Sequence, residues 1–391
     1  MNMRQTYPTY RVSKTGVLVL LIMTTLLWQC TQTYVSPYKS PVTGYLVVEG
    51  YISGNSPTQF TLSRTIPLPG DSTIPVVTGA TVQVEGNDNT VYPLSDQGNG
   101  TYGDSLTLNP TAQYRLRISI PNGESYLSDF VPYKPTPAID SVNWILNSNG
   151  VMIYVNTHDP ANSTRYYQWT YDQTWAYFSA EQSFLIYQSS TNSLLPRPPS
   201  LQNYECWMNV QDQRILISST AKLAQDVVYE FPLVQIPLNS QPLEVEYSIL
   251  VKQYALTQDG YNFLSLMQLN TESLGSIFDV QPSVITGNIH CLTVPSEQVI
   301  GYISAGSVQQ QRIFIDKKQL PSWDYRFACA LPDTVIPNDS NAILSFFSLG
   351  AYVPIGESLE PPPGSIMANV QNCIDCQFQG GSTQKPSFWP N

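Results

Sequence analysis

At 391 residues the chain has room for roughly two or three domains. Charged residues make up only 12%, against 25 Tyr, 13 Phe, 7 Trp and 31 Pro, which is a β-rich and turn-rich composition. With 18 basic and 29 acidic residues the formal charge is −11, and this excludes the broad basic face that nucleic-acid binding needs.

The first residues carry Arg4, Arg11 and Lys14 with no acid, then run apolar through "GVLVLLIMTTLLW" up to Cys30. That is the layout of an export signal, and the run is short of the about 20 apolar residues a bilayer crossing requires. Leu27 stands third before the cysteine, as a lipoprotein processing site wants, whereas Trp28 and Gln29 are bulkier than the small residues usual there. The expectation is a lipoprotein signal peptide over 1–29 with Cys30 as the lipid anchor; the alternative is an uncleaved signal anchor, or cleavage elsewhere with Cys30 an ordinary residue. Removing the signal leaves 15 basic against 29 acidic residues, a formal charge of −14.

Residues 30–43 are polar and proline-bearing and read as a tether. Short β-type runs follow at 45–52, 58–66, 80–86, 90–94, 113–120 and 123–131, separated by Gly, Pro, Asn and Asp. In the fifth, Tyr114, Leu116, Ile118 and Ile120 share one face and Arg115, Arg117 and Ser119 the other, so one face is buried. This spacing suggests a small β-sandwich over 44–135. The proline-bearing stretch 131–144 reads as a connection, placing a boundary near 136. Further strand signals at 151–160, 165–175, 183–188, 213–220, 227–236 and 243–256 suggest a second, larger sandwich over 136–391, fibronectin-like or immunoglobulin-like. The expected fold class is therefore all-β, two sandwiches in tandem. One helix interrupts it near 259–269, where Phe263, Leu264, Leu266 and Met267 cluster as on a helix face and Asp259 is placed to cap it. Strand character returns over 298–315, and the last seventy residues read as a loop-rich tail.

"GNGTYG" (98–103) matches a dinucleotide fingerprint, but no helix follows it and it lies between strands, so its glycines are read as tight-turn residues. "CIDC" (373–376) admits half a zinc site, a redox pair or a disulfide. Without a second close cysteine pair or a βαβ setting, a local Cys373–Cys376 disulfide is the expectation; the pairing among Cys206, Cys291 and Cys329 stays open. His158 in "THDP" reads as a turn residue and His290 in "GNIHCL" as a packed imidazole, so neither is read as a catalytic base. A hydrolase with dispersed carboxylates would leave no local spacing to read. No cofactor or metal site is expected. For ligand contact the first place to look is "YYQWTYDQTWAYF" (166–178), where Tyr167, Trp169, Tyr171, Trp175 and Tyr177 share a parity and would share a face if the strand runs unbroken; core packing is the competing reading.

Taken together, "YLVVEGYI", "TLSRT", "VTGATVQVEG", "GNGTY", "YSILVKQYALT", "GNIHC", "VIGYISAGSV" and the tail "CIDCQFQGGSTQKPSFWP" resemble a family of Bacteroidota lipoproteins known only as domain of unknown function four-two-four-nine. The resemblance implies an outer-membrane lipoprotein whose gene neighbours a TonB-dependent transporter, and so a part in nutrient capture or handover. It supplies no catalytic residues. No acidic run follows Cys30, which leaves the side of the membrane open. The expected function is thus a lipid-anchored envelope protein of a didermal bacterium, accessory to a TonB-dependent outer-membrane transporter, not an enzyme and with an unidentified ligand; the alternative is a structural or adhesive surface lipoprotein without a small ligand.

Overall fold

The computed structural model describes residues 44–66, 73–272, 286–329, 332–335, 340–358 and 364–390. The expected signal peptide, Cys30 and the tether lie outside the described residues. Chain order begins with β1 (Leu46–Ser53), β2 (Thr58–Arg64), β3 (Thr81–Gly86), β4 (Val91–Gly98), β5 (Thr101–Asp104), β6 (Gln113–Ser119), β7 (Ser125–Ser128) and β8 (Val131–Lys134). Next come β9 (Ile139–Asn147), β10 (Gly150–Asp159), β11 (Tyr166–Phe178), β12 (Leu185–Gln188), β13 (Ser193–Pro196), β14 (Glu205–Gln211), β15 (Leu216–Ser219), β16 (Asp226–Pro237) and β17 (Glu246–Ala255). Helix α1 (Gln258–Glu272) is followed by β18 (Ile289–Cys291), β19 (Val299–Ile300), β20 (Ala305–Gly306) and β21 (Val308–Asp316). The tail holds β22 (Asp333–Val335), α2 (Ser340–Phe347), β23 (Tyr352–Glu357), β24 (Ile366–Val370) and the single turn α3 (Gln371–Ile374). The fold is mostly β.

The first half is built as its periodicity dictates. Along β6, Tyr114, Leu116 and Ile118 are buried while Arg115 and Arg117 stay half-exposed and share Glu85 of β3. The turn between β4 and β5 is Asn99-Gly100, both at positive φ (50° and 72°), which is the hairpin geometry such a pair favours. "GNGTYG" is therefore a tight turn. The sheet does not form the sandwich expected over 44–135. It closes into an eight-stranded ring in the order β6-β3-β4-β5-β2-β1-β20-β8, with β8 pairing back onto β6. The closing strand is only two residues long and arrives some 170 residues after β8, so no periodicity announces it. One face of a barrel wall and one face of a sandwich carry the same alternation.

Two antiparallel sheets share the second core. One has the order β16-β10-β9, the other β14-β11-β17-β21 with β15 also on β11. Val151, Ile153 and Val155 of the first meet Trp169, Tyr247, Ile249 and Val251 of the second, all fully buried. The join between halves is bonded, not loose. Thr136 is buried; its N–H donates to Ser307 Oγ (2.8 Å), its hydroxyl donates to the Ser307 carbonyl (2.5 Å) and accepts from Ala255 N–H (2.9 Å). Tyr45–Asn391 forms one compact unit.

The tail is more ordered than the expected loops. β22, β24 and β23 form a small antiparallel sheet, and Phe347, Ile366 and Ala368 form a minor core against the β12–β13 hairpin. β23 carries Pro354 and Gly356 at a register shift, which hides its strand character in the sequence.

Candidate functional site

The five aromatics singled out on this run pack inward and do not line the cleft described below. β11 does run unbroken, pairing with β17 from Tyr167↔Ala255 to Ala176↔Glu246 without a register shift. Its odd side faces the second core, however. Tyr167, Trp169, Tyr171 and Tyr177 are buried and Trp175 is half-buried. Their polar atoms are engaged inside: Tyr167 donates to Asp226 Oδ2 (2.5 Å), Trp169 Nε1 to Gln253 Oε1 (2.9 Å), and Tyr177 to the Cys376 carbonyl (2.8 Å). Trp169 also stacks on Phe231 at 4.5 Å. Parity alone cannot say which side of a central strand another sheet will cover.

The local Cys373–Cys376 disulfide is also overturned. Cys206 bonds Cys376 and Cys329 bonds Cys373. The tail runs back along β14, with Cys376 N–H donating to the Asn203 carbonyl (3.0 Å) and Trp207 N–H to that of Ser382 (2.8 Å), and this brings Cys206 to Cys376. Cys291 is buried and, among the described residues, bonded to no other cysteine. His158 stands at the end of β10 with Nδ1 2.7 Å from Asp140, while His290 is exposed on β18 beside Asp129 rather than packed. Among the described residues no group of His, Cys, Asp or Glu is arranged to hold a metal ion.

What the sequence did not reveal is a cleft of about 590 Å³ between the barrel, the second sheet and α1. Alternation builds two of its walls. Leu46, Val48 and Ile52 of β1 point into the barrel core, leaving Val47, Glu49 and Tyr51 for the cleft. On β11 the residues between the buried aromatics, Gln168 and Thr170, face the cleft; across the sheet they register with Tyr254 and Lys252 of β17. Tyr51 and Tyr254 meet edge to face at 4.9 Å, joining the walls.

Helix α1 forms the third wall. Thr257 caps it, accepting from Gly260 N–H (3.1 Å), while Asp259 lies in the first turn rather than at the cap. Gln268 donates to the Ile215 carbonyl (2.8 Å), which holds Phe263, Leu264 and Met267 along the cleft.

The fourth wall is an arch, residues 301–304, between two short stretches parallel to β1 (Val47↔Ile300 and Ile52↔Ala305). One asparagine pins it and a second fixes the strand that follows it. Asn288 accepts from Ile303 N–H (2.8 Å) and donates to its carbonyl (3.1 Å); Asn55 does the same with Val308 (2.8 and 2.9 Å). Gly287 is required beside Asn288, because a Cβ there would lie 1.7 Å from the Gly301 carbonyl oxygen.

Charge in the cleft is largely paired. Lys252 Nζ is 2.8 Å from Asp172, and Arg214 binds Asp212 (3.0 Å), the Tyr171 hydroxyl and the Leu233 carbonyl (2.9 Å). Burial pulls the Arg214 guanidinium down, but Asp212 beside it leaves its pKa raised overall. Burial also raises the Tyr51 and Tyr302 phenols, which keeps both neutral.

A family described as a domain of unknown function (DUF4249) matches residues 32–312. The chain belongs to this family. Every residue lining the cleft, from Val47 to Gln310, falls inside the matched span, whereas the segment 373–390 lies beyond it. No curated protein matches the chain.

Proposed function

We propose that this DUF4249 protein is an exported, lipid-anchored component of the envelope of a didermal bacterium that works beside a TonB-dependent outer-membrane transporter in nutrient capture, with the cleft as its ligand site. The cleft carries this reading. It is concave, mixes apolar and hydrogen-bonding side chains as small-molecule sites do, and is made wholly of family-matched residues. Export is supported by the two disulfides, which belong to an oxidising compartment, and by the signal-like segment ending at Cys30. Acylation at Cys30 would hold the protein in place, since two or three chains give lasting attachment where one gives marginal affinity. The transporter partner rests on the family resemblance. In this reading the barrel is the docking module, and the paired sheets serve as a fibronectin-like sandwich that backs the ligand face.

The test is mild-detergent extraction of native envelopes, with mass spectrometry of the mature N-terminus and of co-purifying proteins. A chain that starts at an acylated Cys30 and brings down a TonB-dependent transporter is expected. A chain that begins at Met1, a free thiol at position 30, or extraction without any transporter overturns the proposal.

A further inference from the structure

We infer that the cleft takes an organic cation with an apolar body, its ammonium or guanidinium group meeting Glu49 and the Tyr51–Tyr254 pair. The inference deepens the reading of the cleft as a ligand site and rests on it.

The two cations that line the cleft are both committed, Lys252 to Asp172 and Arg214 to Asp212, Tyr171 and Leu233. An anionic ligand would have to displace a carboxylate from one of them. Glu49 is the reverse case: it is exposed on the cleft side of β1, its backbone paired with β2, and its carboxylate has no ion pair or side-chain hydrogen bond among the described residues. Two residues on, along the same face of the strand, stands Tyr51, whose ring contacts Tyr254 at 4.9 Å. A carboxylate beside aromatic rings attracts a cation through charge and through the ring quadrupole. The rest of the lining suits a hydrocarbon body, with Phe263, Leu264 and Met267 on α1 and Ile300 of β19 at the foot of the arch. Long-range attraction acts in the same direction, because the whole chain carries a formal charge of −11.

The experiment uses the mature lipidated protein in nanodiscs and three probes of similar shape: benzyltrimethylammonium, benzenesulfonate and benzyl alcohol. Binding is followed calorimetrically for the parent, Glu49→Gln and Gln168→Trp, the last placing an indole in the cleft. The expected result is saturable one-to-one binding of benzyltrimethylammonium that benzenesulfonate does not compete away. Glu49→Gln should weaken it about fivefold, the effect of one exposed ion pair, and Gln168→Trp should abolish it. Benzenesulfonate binding as tightly as the ammonium, or unchanged ammonium affinity in Glu49→Gln, overturns the cation assignment. If benzyl alcohol then still binds the parent and not Gln168→Trp, the cleft stands as a ligand site and only its charge preference has failed. If no probe binds the parent, the ligand-site reading falls as well.

Discussion

Replacing Asn288 by Leu tests whether one side chain holds the arch that walls the cleft. Asn288 is 6% exposed and its amide satisfies both backbone groups of Ile303, at 2.8 and 3.1 Å. The Ile303 side chain is fully buried in the barrel, so water cannot readily replace the amide. Leu keeps the volume but leaves one N–H and one carbonyl unpaired, each costing about 1–3 kcal/mol. The variant should lose about 2–5 kcal/mol in urea unfolding, at the high end for one substitution. Asn288→Asp separates the two bonds: a carboxylate still accepts from Ile303 N–H but repels its carbonyl oxygen. That carboxyl should titrate above its unfolded value. Its stabilising contribution is therefore present below the unfolded pKa of about 4 and lost as pH rises through the folded value. The Asp variant should match the parent near pH 4 and fall behind it by pH 7. If Leu and Asp both stay within about 0.5 kcal/mol of the parent at pH 7, the arch is not held by Asn288.

The disulfides and a buried carboxyl give three further outcomes. Non-reducing digestion should yield peptides joining Cys206 to Cys376 and Cys329 to Cys373, with Cys291 alkylated only after unfolding; a Cys373–Cys376 peptide would contradict the structure. Removing both Cys206 and Cys376, which close a separation of 170 residues, should cost about 5 kcal/mol on the chain-entropy account, against about 4 kcal/mol for the 44-residue Cys329–Cys373 pair. Burial raises the Glu244 carboxyl to about 7, and its Oε2 is enclosed without a hydrogen-bond partner among the described residues. Its folded pKa lies above the unfolded one, so its contribution is full below about pH 4.5 and lost as pH rises through about 7. Glu244→Gln should raise the melting temperature at pH 8 and leave it unchanged near pH 4; equal curves at pH 8 would show that the carboxyl is not penalised.

What the sequence disclosed was local. The alternation of Tyr114, Leu116 and Ile118, the helix around Phe263 and the Asn99-Gly100 turn all act over a few residues, where backbone geometry maps directly onto pattern. What it withheld depended on partners far along the chain. Ala305–Gly306 close the barrel with two residues, too few for any period. Cys376 lies three residues from Cys373 yet bonds Cys206, because the tail's pairing with β14 decides the matter. The cleft is illegible in the sequence for the same reason: its lining uses the inconspicuous residues of each strand, Gln168 and Thr170 between the aromatics, and becomes concave only when the barrel is set against them.

The same long-range connections bear on how the cleft works. The strand that returns to the barrel at Ala305–Gly306 continues, one residue later, into Val308–Asp316 of the second sheet. Beside it the chain crosses the other way from β8 to β9, and Thr136 bonds this crossing to Ser307 and to Ala255 of β17. Asn55 of the barrel adds two bonds to Val308. Two crossings tied together by these hydrogen bonds resist hinging, so the cleft is preformed, and a ligand bound as proposed would not bear the cost of closing it. Hydrogen exchange provides the check. The amides of Thr136, Ile303 and Val308 should exchange as slowly as core amides of β11 and β17, through global opening alone. Exchange at these three amides that is much faster than at Trp169 and Ile249 would mean that the halves separate on their own, and the cleft would then have to be assembled by its ligand.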